Sequence, residues 1–418
     1  MQFSRKQYLN ELISRKHNGM IKIISGLRRS GKSYLLFNLF KEHLLNSGVT
    51  ENQIISIALD DYENRNFLNS DVLYQYVKER IDNSNMHYLL LDEIQLVSNF
   101  ESVLNGLLRR SNIDIYVTGS NSRFLVSDVI TEFRGRGDEI RIYPLSISEL
   151  HEAYPQKSWD ELWSEYSNFG GLPQAVLIND INQKRKYLNQ LFEATYFRDI
   201  IDRYKIQHIE QFGQLVDFVA SSIGSLTNSH KLSNTFVSKG IKLSDDTVSK
   251  YLAYMQDAFM ISQAKRYDIR GRQYIGSPYK YYFTDVGLRN ARLNFRQYEE
   301  THLMENVIYN ELLRRGCEVD VGVIEIVERN TEGKQEHKRI EVDFVANRGS
   351  ERYYIQSAFA MPDEEKLKQE ERPLLKIYDS FRKIIIVQSN ILPWYNDNGT
   401  LIMSLQEFLT NENSLTMR

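Results

Sequence analysis

The stretch that most constrains this chain is Met20 to Phe37, MIKIISGLRRSGKSYLLF. Its β-branched apolar run, Ile21, Ile23 and Ile24, reads as a buried parallel strand. The strand leads at once into Gly26-Leu27-Arg28-Arg29-Ser30-Gly31-Lys32-Ser33, which fits G-x-x-x-x-G-K-[ST]. That spacing is a phosphate loop. Glycine at 26 and 31 lets the backbone turn tightly and bring its N–H groups to an anion, and the helix starting near Gly31 adds the positive end of its dipole. Lys32 is placed to reach the β- and γ-phosphates of a nucleotide, and the Ser33 hydroxyl to ligate the accompanying Mg²⁺. The run from Gly26 to Tyr34 is the candidate nucleotide-contacting segment.

A second anchor follows in MHYLLLDEIQLV, where the apolar run Tyr88–Leu91 ends on Asp92 and Glu93. A carboxylate at the carboxyl end of a strand beside the phosphate-loop strand can hold a Mg²⁺-bound water, the Walker-B role, which we assign to Asp92. Glu93 is then placed to polarise the attacking water. The plain alternative is a pair of solvated acids at a strand end. The strand Ile113–Thr118 runs into Gly119-Ser120-Asn121, so Thr118, Ser120 and Asn121 are candidate γ-phosphate sensors, or simply turn-capping residues. Arg134 and Arg136 lie in the Gly-rich stretch FRGRG and are candidates for an arginine finger. Arg198 and Arg203, in YFRDIIDRY, face either the nucleotide or their own helix's acids.

With 418 residues the chain is too long for one ordinary core, so several domains are expected. The breaks fall into a P-loop core at 1–146, a helical lid at 147–205, a winged-helix-like region at 206–290 and a last α/β domain at 300–418. Net charge is −3, so any nucleic-acid contact must come from local patches. Cys317 is the only cysteine, which excludes an intramolecular disulfide and a cysteine-built zinc site. The N-terminus lacks a signal-peptide core and no apolar run reaches membrane-spanning length, so a soluble cytoplasmic protein without membrane contact is expected.

Within 206–290 the pattern is helix, turn near Gly240, a second helix, then a hairpin. That outline would offer DNA the cations Lys265, Arg266, Arg270, Arg272 and Lys280. The helix that would enter a groove instead carries Asp245, Asp246 and Asp257 against Lys250, a poor pattern beside phosphates. In the last domain Glu305 and Asp343 stand where a restriction-endonuclease-like site would place its first two acids. The third position reads Gln356-Ser357-Ala358 where such chemistry needs Glu-x-Lys, so neither the metal's charge nor a water's proton can be held there.

Taken in order, GLRRSGKS, YLLLDEIQLV, VTGSNS, FRGR, IYPLSISEL, GGLP, KYYFTDVGLRN, LMENVIYNELLRRG and EVDFVA resemble a prokaryotic family across nearly the whole chain. The family comprises AAA-type ATPases of the additional-strand, catalytic-glutamate class with a C-terminal domain of unknown function related to PD-(D/E)xK nucleases. The resemblance implies ATP binding and hydrolysis with Mg²⁺. It names no substrate, and the missing Glu-x-Lys argues against carrying nuclease activity over. No guanine-reading N-K-x-D element is present, in keeping with adenine. The expected fold is α/β: a P-loop NTPase core with a parallel sheet, a helical lid, a winged-helix-like region and a degenerate restriction-endonuclease-like domain. The leading functional expectation is an ATP-driven switch or remodeller, with an oligomer and an unidentified protein partner left open. Its rivals are an ATP-gated DNA-binding regulator and an ATP-driven nuclease.

Overall fold

The computed structural model describes residues 2–82, 85–119, 133, 135–238, 240–329, 335–359 and 364–417. The chain forms two compact units. One holds Met1–Pro144 with Leu172–Gln174 and Asp257–Phe259; the other holds Leu145–Gly171, Ala175–Gln256 and Met260–Arg418.

In the first unit β1 (Ile21–Gly26), β2 (Ile54–Ala58), β3 (His87–Asp92), β4 (Ile113–Thr118) and β5 (Gly137–Ile142) form one parallel sheet, ordered β2-β3-β4-β1-β5. Alternate side chains serve opposite faces. Ile21, Ile23, Leu89, Leu91, Ile115 and Val117 pack with Leu73 and Val77 of the helix Ser70–Arg80 and with Val103 and Leu104 of Phe100–Leu107. Ile24, Leu90, Tyr116, Ile140 and Ile142 pack with Leu12 of Lys6–Ser14 and with Leu35, Leu36 and Phe40 behind the phosphate loop. Burial on both faces explains why these strands read as near-continuous apolar runs.

One expectation is corrected by the sheet order. The strand carrying Asp92 does not adjoin the phosphate-loop strand, because β4 lies between them: Ile24 pairs with Thr118, and Leu91 with Val117. β4 is buried along its whole length, with its one charged residue, Asp114, paired to Lys22 of β1, and its polar last residue, Thr118, therefore stands between Gly26 and Asp92.

In the second unit, the stretch expected to open a helical lid begins with two separate helices, Ile147–Ala153 and Trp159–Phe169. Each opens on a capping box, Ser146 with Glu149 and Ser158 with Glu161, and the second box forces the break. The helices Ile209–Ser221, Ser229–Ser238 and Asp245–Asp257 precede a hairpin of β6 (Ile261–Asp268) and β7 (Gln273–Phe283). The hairpin is no isolated wing. It shares an eight-stranded sheet with β8 (Glu318–Arg329), β9 (Gln335–Arg348), β10 (Glu351–Ala358), β11 (Arg382–Val387), β12 (Trp394–Tyr395) and β13 (Leu401–Ser404). The order is β12-β13-β11-β10-β9-β8-β6-β7, with β6 parallel to β8.

Several of the motifs in this unit hold its core together. Asp285 caps the helix Val286–Arg292 through the Leu288 N–H and accepts the Gly171 N–H at 2.8 Å. A Cβ on Gly287 would stand 2.0 Å from the Phe169 carbonyl oxygen, so only glycine allows that approach. Buried Arg289 donates to the Ala220 and Gln297 carbonyls, and Asn290 to those of Ser167 and Asn168. No helix among the described residues is long and apolar enough to cross a membrane.

Candidate nucleotide site

The site lies where β1, β3 and β4 end, at the carboxyl edge of the parallel sheet, the edge where open α/β sheets bind ligands. At Gly26, φ is +132° and a Cβ would sit 2.2 Å from the Ile142 carbonyl oxygen, so β1 can turn into the loop beside β5 only with glycine there. Arg29 and Gly31 also take positive φ, which curls the loop before the helix begins at Lys32. Arg5, which the sequence reading missed, steadies this curl. Its buried guanidinium donates to the Ser30 carbonyl at 3.5 Å and to the Tyr143 carbonyl at the end of β5. Nothing in its surroundings in the sequence marks it.

Lys32 is 5% exposed and its ammonium donates to the carbonyls of Gly26 at 3.0 Å and Leu27 at 2.9 Å. Burial pushes its pKa down to about 8, against the opposing pull of Glu93 and Asp92. The buried Ser30 hydroxyl has no hydrogen-bond partner among the described residues, an unmet donor in a loop built for an anion. Ser33 is exposed, and Tyr34, on the same helix, has its hydroxyl buried. These residues fit a nucleotide's phosphates.

Opposite the loop, Asp92 is buried and accepts a hydrogen bond from Thr118, with the Ser33 hydroxyl near enough to favour its charged form. Burial raises its pKa, and the two hydroxyls oppose that rise. A carboxylate and a nearby serine hydroxyl are the hard oxygen donors that Mg²⁺ takes alongside phosphate. Glu93 adopts φ +54°; its N–H donates to Thr118 Oγ1 at 3.0 Å and its carboxylate accepts from the Gln95 amide. Thr118 thus ties both acids, and Gln95 holds the second. Only Thr118 was among the sequence candidates.

The expected arginines divide. Arg136 is exposed, with its backbone carbonyl accepting from Ile21 N–H at 2.8 Å at the start of β1, the far end of the strand from Gly26. Ser120, Asn121 and Arg134 lie outside the described residues. Arg203 pairs with Asp199 and Arg198 stands 3.7 Å from Asp202, each along its own helix.

In the second unit Glu305 and Asp343 come together around a cation of the chain itself. The Lys280 ammonium lies 2.9 Å from Glu305, 2.6 Å from Glu341 and 3.9 Å from Asp343. Burial works against its charge, but Glu305, Asp343 and Glu341 outweigh that and hold its pKa above the usual lysine value. Among the described residues no group of three or more His, Cys, Asp or Glu side chains is arranged to hold a metal ion. Lys280, expected on a DNA-facing hairpin, is therefore turned inward, as is Arg266 at 7% exposure. β7 carries both faces of a packed sheet at Lys280, which a free wing would not.

Residues 18–151 match an AAA domain family, and residues 160–299 match a domain of unknown function, DUF8612, which lies upstream of the segment 300–418 where the resemblance led us to expect one. An uncharacterized protein of Haemophilus influenzae is 34% identical over 388 residues, spanning 92% of each chain. The uncharacterized protein MJ1544 of Methanocaldococcus jannaschii is 28% identical over 399 residues, 91% of this chain and 83% of that one. Among solved structures, the Walker-type ATPase PABY2304 of Pyrococcus abyssi aligns with a TM-score of 0.49 at 14% identity, covering 70% of this chain and 96% of its own. The chain belongs to one family with the Haemophilus influenzae protein, and within it residues 18–151, with their phosphate loop and parallel sheet, form an AAA-type P-loop ATPase domain.

Proposed function

We propose that the protein is a Mg²⁺-dependent ATP hydrolase that works as a nucleotide-driven switch or remodeller. The observation that carries this is the facing pair at the sheet edge: the buried Lys32 ammonium on the loop side and Asp92, bonded to Thr118 and close to the Ser33 hydroxyl, on the other. In this reading the loop N–H groups, the Ser30 hydroxyl and Lys32 bind the phosphates. Ser33 and Asp92 hold Mg²⁺, which supplies charge neutralisation at the β- and γ-phosphates. Glu93, steered by Gln95 and Thr118, orients and polarises the attacking water. Arg136 lies at the end of β1 far from Gly26, so as an arginine finger it would serve the nucleotide of a neighbouring subunit, the role also open to Arg134.

The resting contacts support a switch. Lys32 is satisfied by the Gly26 and Leu27 carbonyls, so gripping phosphate requires it to exchange those bonds, and the loop can then hold two arrangements. Measuring ATP binding and phosphate release with Mg²⁺ for the parent, Lys32→Ala and Glu93→Gln tests the assignment. Undiminished turnover in Lys32→Ala would remove it.

A further inference from the structure

The face of the second unit where β6 turns into β7 carries a cleft of about 750 Å³. Three arginines line it: Arg270 and Arg272 from the turn, and Arg352 from β10. Each of two is paired with an aromatic ring. The Arg270 guanidinium lies 5.3 Å from the Tyr378 ring, and Arg352 lies 5.1 Å from Tyr267 and 5.5 Å from Phe381. Tyr378 is 82% exposed and Phe381 39%, so both rings present open faces.

The cations are held in place without being neutralised. Arg270 donates to the carbonyls of Glu325 at 3.2 Å and Lys376 at 3.1 Å, and Arg352 to the Asn347 side-chain oxygen at 2.7 Å. None of these acceptors carries charge. Arg272 makes no hydrogen bond or ion pair among the described residues. The acid in the lining, Asp379, is occupied by the Tyr354 hydroxyl at 2.6 Å and the Phe381 N–H at 3.2 Å. Three guanidinium groups against one carboxylate leave the cleft net positive, and among the described residues no ring stacks on Tyr378 or Phe381. Preorganised guanidinium forks suit phosphate, and open aromatic faces suit unpaired bases.

We propose that this cleft binds single-stranded nucleic acid, with its backbone phosphates on Arg270, Arg272 and Arg352 and a base stacked on Tyr378. A duplex hides its base faces and would leave the rings unused. The helix Asp245–Asp257, which would have to read a duplex groove, carries Asp245 and Asp246 in its first turn. This inference does not depend on the ATPase reading, since the cleft and the phosphate loop share no residue.

The test is fluorescence anisotropy of a labelled oligothymidylate of about 12 nucleotides, of the corresponding duplex, and competition by the mononucleotide, without ATP. The parent, Tyr378→Ala, Arg272→Glu and Lys32→Ala are compared after their urea unfolding midpoints are shown to match. Tyr378 and Arg272 are exposed and make no hydrogen bond on which folding depends. We expect binding to the single strand that weakens as salt rises from about 50 to 200 mM. Loss of the stacking ring should weaken it by about tenfold or more. Arg272→Glu should weaken it and flatten the salt dependence, and Lys32→Ala should bind as the parent does. Four results would overturn the proposal: no binding at low salt, equal binding of the duplex, full competition by the mononucleotide at the strand's own affinity, or binding lost in Lys32→Ala and kept in Tyr378→Ala.

Discussion

Replacing Lys280 by methionine removes a charge from a buried cluster while keeping the length of the stem. Lys280, Glu305 and Asp343 have side chains 5%, 10% and 15% exposed, and Glu341 is 33% exposed. Deleting one partner of a buried ion pair costs about 3–5 kcal/mol, because the other charge stays uncompensated. Glu341 keeps contact with water and adds little to this. The low end, about 3 kcal/mol, is therefore the expectation, equivalent to a fall in Tm of about 6–12 °C for a unit of this size. The pH dependence follows from Asp343, whose pKa burial pushes up to about 7 against the pull of Lys280. A carboxyl raised above its unfolded value keeps a proton that the unfolded chain releases. Its contribution therefore falls as pH rises from the unfolded value, about 4, through the folded one. Without the ammonium the carboxyl rises further, so the deficit of Lys280→Met should shrink at about pH 5 and widen at about pH 8. Thermal unfolding followed by circular dichroism at both pH values measures this. A deficit below about 2 °C, or one identical at both pH values, would refute the view that Lys280 is the cation this cluster is built around.

Other outcomes follow from the nucleotide site. With its pKa near 8, Lys32 is charged below that pH and must regain a proton to bind phosphate above it. ATP affinity should accordingly fall by up to about tenfold per pH unit above pH 8, read by titration across that range; a flat profile would contradict the burial argument. Thr118→Val removes the hydroxyl that ties Asp92 and the Glu93 N–H. It should raise the Mg²⁺ concentration needed for half-maximal turnover by about tenfold, with unfolding little changed. Gly26→Ala would press a Cβ against the Ile142 carbonyl oxygen at 2.2 Å, so ATP binding should be lost with a lowered Tm; parent-like binding would show that the loop can relax.

The phosphate loop was legible because its chemistry is local: two glycines, a lysine and a serine at fixed spacing need no tertiary knowledge. Asp92 and Glu93 were legible for the same reason, being the polar end of an apolar strand. Their neighbours were not. That β4 separates them from β1 depends on strand pairing, which periodicity does not encode, and with it goes the role of Thr118 as the bridge. Arg5 reaches Ser30 and Tyr143 across long sequence separations, and nothing in SRKQYLNEL distinguishes it from a surface arginine. Lys280 misled because a lysine in a hairpin usually faces water. Its partners Glu305 and Glu341 come from a helix and a strand far along the chain. The stretch GGLP entered as part of the family resemblance, yet Gly171 gives its N–H to Asp285, joining two stretches that sequence alone left unrelated.

The most direct test of the account is parallel measurement of ATP binding and Mg²⁺-dependent phosphate release by the parent and Glu93→Gln. Orientation of water by Glu93 predicts unchanged ATP affinity and turnover lower by about 10²-fold or more. Equal phosphate release from the two proteins would contradict it and leave the facing acids at the sheet edge without a catalytic role.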